Sequence, residues 1–262
     1  MSLPMANCSP ASDKAEKMNK QQLEKLEAEV NAELYEMAKL TNPNVEPITD
    51  GVVDIDLYLA SQPKILWILK EPFDDFENGT PCGGGWSMTK HVLAAGKFGN
   101  KPPFAPIAYI AYSVFNDFLP YQKIEYVTEN PLVKAAVKRI AYINVNKMPA
   151  LSTSGGTDFA GLYAHNRSRL LKQISTMQPD ILIFGSTIGL FLDDLDLKWG
   201  DLNPVGSLKF CVKARQLFID AYHPSQWSRV SPADYVNEIV SVIKTHSPAL
   251  PPPQSSPIIH HS

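Results

Sequence analysis

The sequence predicts an α/β fold: a three-layer α/β/α sandwich around a central, mainly parallel four-stranded sheet. Four apolar runs, 64–69, 140–144, 180–184 and 216–221, have the length of buried strands. Segments with helical periodicity lie between them. Strands separated by helices pair in parallel through right-handed crossovers.

Residues 1–13 carry no periodic pattern and are expected to be a disordered leader, with one domain over 14–245. The domain opens on an amphipathic helix over 14–40. Its Leu23, Leu26, Val30, Leu34, Met37 and Leu40 recur at threes and fours and line one face. Asn42-Pro43-Asn44 stops it. The strand 64–69 runs into Lys70-Glu71-Pro72. Gly83-Gly84-Gly85 then reads as a flexible loop, because consecutive glycines do not stabilise a helix.

Residues 106–119 carry Ile107, Ile110, Tyr112, Val114 and Phe118 and predict a helix; 131–139 predicts a short basic one. The strand 140–144 leads into Asn144-Val145-Asn146-Lys147. A helix over 158–177 carries Leu162, Leu170, Leu171, Ile174 and Met177. The strand 180–184 ends in Gly185-Ser186-Thr187, with a short helix over 186–192. Residues 207–213 alternate and are a candidate for a further strand, with Val205-Gly206 as its turn. The strand 216–221 enters Tyr222-His223-Pro224-Ser225. A helix over 232–244, with Tyr235, Ile239, Val240 and Ile243, closes the domain. Residues 246–262 are proline-rich and are expected to be a disordered tail.

The apolar share of 44% and charged share of 19% place the 262-residue chain among globular proteins. A net charge of −3 argues against a broadly basic nucleic-acid surface, although a local patch is compatible with it. Lys134, Lys138 and Arg139 form one candidate basic edge, and Arg167, Arg169 and Lys172 another. At helical spacing both are first read as solvated faces. No stretch approaches the ~20 apolar residues of a membrane helix, and the N-terminus has no apolar signal core. A cytoplasmic protein without membrane contact is expected. Cys8, Cys82 and Cys211 are too widely spaced for a disulfide framework or metal site, so no metal and no cofactor are expected.

In open parallel sheets, sites form beyond the carboxyl ends of strands. A carboxylate (Glu71), amides (Asn144 and Asn146), a glycine turn (Gly185) and an imidazole (His223) all emerge there. Each alone is better read as a cap or a satisfied loop residue. Their recurrence at four strand ends points to one site.

Lys70-Glu71-Pro72, Tyr142-Ile143-Asn144-Val145-Asn146-Lys147, Pro179 to Gly185, and Tyr222-His223-Pro224-Ser225 together resemble the uracil-DNA glycosylase superfamily in order, spacing and context. The likeness spans about residues 60–245. Asn166 to Ile174 is similar to the helix before the third strand in the branch that usually carries an iron–sulfur cluster; the cluster cysteines are absent here.

The resemblance implies roles. Glu71 stands where the family positions or activates the attacking water. Asn144 stands where an amide reads the uracil edge, and His223 where a histidine donates to the uracil oxygen. Phe73 stands where the family usually has tyrosine or glycine; a tyrosine there blocks the thymine methyl, and Phe73 either does the same or is a core residue. Cys82 stands where a stacking aromatic is expected, and Trp86 is the candidate substitute. Gln226, Trp227 and Arg229 follow the His-Pro-Ser element, where the family enters the minor groove; Trp227 reads equally as a wedge or as a surface or core packing residue. Ser225, Lys147 and Ser186 are assigned to DNA contact with them. Leu69 replaces the glycine that begins the family's first motif. The expected function is hydrolysis of the N-glycosidic bond of a flipped-out uracil or other deaminated base in DNA. Two alternatives stay open: a hydrolase of free nucleosides, and a nucleic-acid-binding relative that has lost catalysis.

Overall fold

The computed structural model describes residues 18–248, except 75, 78–79, 101, 151–155 and 227–228. The leader expected over 1–13, and the tail beyond 248, lie outside the described residues.

Seven strands form one mixed sheet: β1 (Gly51–Val52), β2 (Ile65–Leu69), β3 (Ala141–Asn144), β4 (Ile181–Gly185), β5 (Asn203–Val205), β6 (Leu208–Lys213) and β7 (Gln216–Ala221). Their spatial order is β1-β3-β2-β4-β7-β6-β5. The four expected strands, β3, β2, β4 and β7, form the parallel core. The expectation of a four-stranded sheet is corrected to seven. β1 adds antiparallel to β3, and β6 and β5 extend the other edge as an antiparallel meander. β5 and β1 are too short and polar in context to announce themselves by alternation. A separate two-stranded ribbon pairs Phe76–Glu77 with Thr80–Pro81.

Strand side chains alternate between two cores, as a period of two requires. Ile65, Trp67 and Leu69 join one core; Leu66 and Ile68 join the other. Helices α3 (Phe104–Val114), α4 (Pro131–Ala135) and α6 (Pro232–His246) contribute to the first. Helices α1 (Lys20–Thr41), α2 (Ile55–Ala60) and α5 (Phe159–Met177) contribute to the second. Helices therefore cover both faces of the sheet.

α1 begins at a capping box: Asn19 Oδ1 accepts from Gln22 N at 3.0 Å, and Gln22 Oε1 accepts from Asn19 N at 2.8 Å. Its buried stripe is Leu23, Leu26, Val30, Leu34 and Ala38. Leu40, expected on that stripe, is 88% exposed, because steps of four from Leu26 reach Ala38 instead. α1 packs on α5, where Lys172 pairs with Glu29 at 2.7 Å and Arg169 with Glu33 at 3.4 Å. Arg167 pairs with Asp194. The Arg167/Arg169/Lys172 set is thus ion-paired rather than a bare basic edge. The short helix expected over 186–192 is only a 3-10 turn at Ile188–Leu190. A π-helical segment, Met88–Ala94, had no counterpart in the sequence pattern. Among the described residues no helix is long and apolar enough to cross a membrane.

Candidate active site

The strand order reverses between β2 and β4. The chain leaves β2 for β3 on one side and leaves β4 for β7 on the other. A crevice opens beyond the carboxyl ends of strands at such a point. Here Gly185 ends β4 against both neighbours: a Cβ on it would lie 2.3 Å from Leu69 Cδ2 and 3.3 Å from Pro224 Cδ. Only glycine lets these ends meet so closely. Leu69 is 1% exposed and belongs to the core. Leu69 packs over Gly185.

Past Leu69 the chain stays extended beside the segment after β3. Val145 N donates to Leu69 O at 2.9 Å, Asn146 N to Lys70 O at 2.8 Å, and Ala150 N to Pro72 O at 3.0 Å. These bonds hold Lys70, Glu71, Pro72 and Phe73 along one wall of a cavity of about 280 Å³. Trp86, Met88 and Val92 line it from the loop and the π-helical segment, Phe104 from the start of α3, and Tyr142 from β3. His223 and Ser225 line it from the segment after β7. The volume lies just below the range for ligand pockets, ~300–1,000 Å³, and suits one planar base rather than a whole nucleotide.

His223 is fixed at three atoms. Its backbone N donates to Ser186 Oγ at 3.0 Å, and its carbonyl accepts from Gln226 N at 2.9 Å. Its Nδ1 accepts the Ser225 N–H at 3.2 Å. A ring nitrogen that accepts is unprotonated, so Nε2 carries the hydrogen in the neutral ring. Burial, followed by the nearby positive charge of Lys70, lowers the imidazole to about 4. His223 is a neutral Nε2–H donor at pH 7.

Glu71 is half-buried, and its Oε1 is inaccessible and has no hydrogen-bond partner. Among the described residues it forms no ion pair. A buried carboxylate oxygen left unmatched costs stability, while Glu71 as a residue lines the cavity.

Asn144 differs from expectation. It is 1% exposed and does not line the cavity. Tyr142, two residues earlier on the same face of β3, lines it instead, and its hydroxyl donates to Asn144 Oδ1 at 3.2 Å. Asn144 reaches the cavity only through Tyr142, while its Nδ2 is buried without a partner.

Lys147 requires a correction. Its side chain is fully buried, with Nζ donating to Asp50 Oδ1 at 2.6 Å, Asp50 Oδ2 at 2.7 Å and Gln173 Oε1 at 3.1 Å. Burial pushes its ammonium down and Asp50 pushes back. It is a core ion pair and offers no charge to a DNA phosphate. Asp50 Oδ2 also accepts from Asn144 N at 2.8 Å, so the pair anchors the end of β3. Asp50 and Gln173 carried no signal in the sequence, because their partners lie 97 and 26 residues from them along the chain.

The glycine loop is held rather than loose. Asp74 Oδ2 accepts from Gly84 N at 2.7 Å and from Trp86 Nε1 at 2.6 Å. Gly84, at φ +102, presses against Glu46 O, 1.8 Å from where a Cβ would stand. Phe73 lines the cavity but is 64% exposed, so it sits at the mouth.

Comparison with models of known protein families gives no match, and no curated protein matches the chain.

Of the residues expected to meet DNA, Ser225 is exposed on the cavity rim. Gln226 is half-buried, with Oε1 unpartnered. Arg229 is exposed, with its guanidinium 5.4 Å from the centroid of the Tyr222 ring. Ser186, at φ +60, is spent on holding His223 and faces a second cavity. Trp227 lies outside the described residues. Phe104 and Tyr142, which no strand-end signal marks, supply aromatic wall; their ring centroids are 6.1 Å apart. Among the described residues no group of three or more His, Cys, Asp or Glu is placed to hold a metal ion.

Proposed function

We propose that the protein is a uracil-DNA glycosylase-like hydrolase that cleaves the N-glycosidic bond of uracil or another deaminated base flipped out of DNA. The layered α/β/α body and the Lys-Glu-Pro and His-Pro-Ser elements belong to that reading. One observation carries it: Glu71 and His223, far apart in the chain, line a single cavity sized for one base.

The residues suit the chemistry. As the bond breaks, its electron pair leaves with the base and positive charge grows on the sugar. A neutral Nε2–H donor at His223 stabilises a developing anion on a base oxygen; losing one such donor costs about 3 kcal/mol of barrier. The Glu71 carboxylate offsets the sugar cation and orients the water, whose oxygen bonds to the anomeric carbon and whose proton passes through the carboxylate to the departing base anion. Phe104, Trp86 and Tyr142 give the base apolar walls. Extrusion of the base costs roughly a few kcal/mol, least for an already unpaired one.

An unpaired Glu71 favours catalysis over an inactive binding relative, since a salt bridge to Lys70 or Lys147 would have marked a retired carboxylate. Lys147 is instead committed to Asp50.

The test is excision from oligonucleotides holding uracil, hypoxanthine, xanthine or mismatched thymine, single- and double-stranded. Cleavage of at least one, falling by about a hundredfold or more in His223→Ala, is the expected result. No cleavage of any substrate by the wild-type protein refutes the proposal.

A further inference from the structure

A second and larger cavity, of about 670 Å³, opens on the other side of Lys70. Its walls come from the turn after β4, the end of β7, and the β5–β6 turn. Trp199 lines it and is 55% exposed. The indole is nonetheless seated: a Cβ on Gly189 would lie 3.1 Å from Trp199 Cζ2, so that glycine admits it. Lys209 places its ammonium 5.3 Å from the indole ring centroid, and Lys70 places its own 5.2 Å from the Phe159 ring centroid. Among the described residues neither ammonium lies within ion-pair distance of a carboxylate. Asp220, the register partner of Lys209, also lines the cavity and supplies an acceptor. Lys70 lines both cavities.

We propose that this cavity is a second nucleotide site, which takes an unpaired neighbour of the nucleotide in the smaller cavity, on single-stranded DNA. It rests on the function proposed above. The base stacks on Trp199, and the linking phosphate lies between Lys70 and Lys209. Grooves that track a single strand combine cations with exposed aromatic faces, and every base has a face to stack. Asp220 meets exocyclic amino groups, whereas a phosphate is held at the two lysines. The net charge of −3 is no obstacle, because the two cations are local and only Lys209 has a carboxylate, Asp220, facing it across the strand pair.

The test uses the full chain and short uracil-free single-stranded oligonucleotides, with binding read by fluorescence anisotropy over a salt series. Uracil excision under the same conditions is followed in parallel. Trp199→Ala is expected to weaken binding by about tenfold, and Trp199→Phe to keep most of it. Lys209→Ala is expected to weaken binding and to flatten the salt dependence by about one counterion. In excision, KM for single strands rises and saturated kcat holds. If Trp199→Ala fails to fold, Trp199→Phe and Lys209→Ala decide. Tight excision with unchanged binding and KM in these variants overturns the second site and leaves the enzyme intact. Absence of excision, with binding that still depends on Trp199 and Lys209, overturns the enzyme and keeps the second site. Failure of the wild-type chain to bind any single strand overturns the inference outright.

Discussion

The backbone N–H of Ser225 donates to Nδ1 of His223 at 3.2 Å, and this single bond selects the ring's proton-bearing nitrogen. The proline between them fixes the turn that brings the amide round. Burial and Lys70 then keep the ring neutral, at about 4.

A pH profile follows. The acid limb of excision governed by His223 should fall near pH 4, not near the ordinary histidine value of ~6.5. Stability carries the same sign. The folded ring takes up its proton later than the unfolded one, so its contribution is full above about 6.5 and is lost as pH falls toward 4. Chemical denaturation at stepped pH should show this loss in the wild type and not in His223→Asn.

Glu71→Gln separates chemistry from folding. The substitution keeps shape and removes the charge, so excision should drop by about a hundredfold or more. Thermal midpoint should hold or rise, because the buried Oε1 has no partner to lose. A lowered midpoint with normal turnover would mark Glu71 as structural.

The Asp50–Lys147 pair is a stability element. Removing either partner alone leaves a buried charge uncompensated and should cost about 3–5 kcal/mol. The double replacement Asp50→Leu with Lys147→Met should recover much of that loss. Urea unfolding of the four proteins gives the coupling directly. Because Asp50 also holds Asn144 N, the singles should disturb the end of β3 as well.

Gly185 and Leu69 form a size-matched pair. Gly185→Ala overpacks Leu69 and should cost about 1–3 kcal/mol. Leu69→Ala leaves a hole and should cost about 2–5 kcal/mol. Together the two changes should cost less than their sum, which unfolding midpoints of the three variants would check. Strict additivity would mean the two side chains do not meet.

Much of the frame was legible in the chain. Each of β2, β3, β4 and β7 announced itself as a short apolar run, because a strand buried on both faces needs no polar alternation. α5 and α6 showed their periodic stripes. β1 and β5 stayed hidden because two or three residues carry no period, and the π-helical segment because its repeat matches neither pattern. At the site, the rule of strand ends named Glu71 and His223, and both line one cavity. It failed for Lys147, since a lysine after a strand looks the same whether it faces solvent or a buried aspartate.

The sequence by itself determined where the strands lie and which polar residues leave their carboxyl ends, because both follow from local period and order along the chain. Tertiary structure alone decided that Tyr142 stands before Asn144, that Lys147 belongs to Asp50, that Gly185 makes room for Leu69, and that Lys70 lies between two cavities. Those outcomes depend on contacts between residues distant in the chain, whose partners are set by packing and charge burial rather than by any spacing the chain displays.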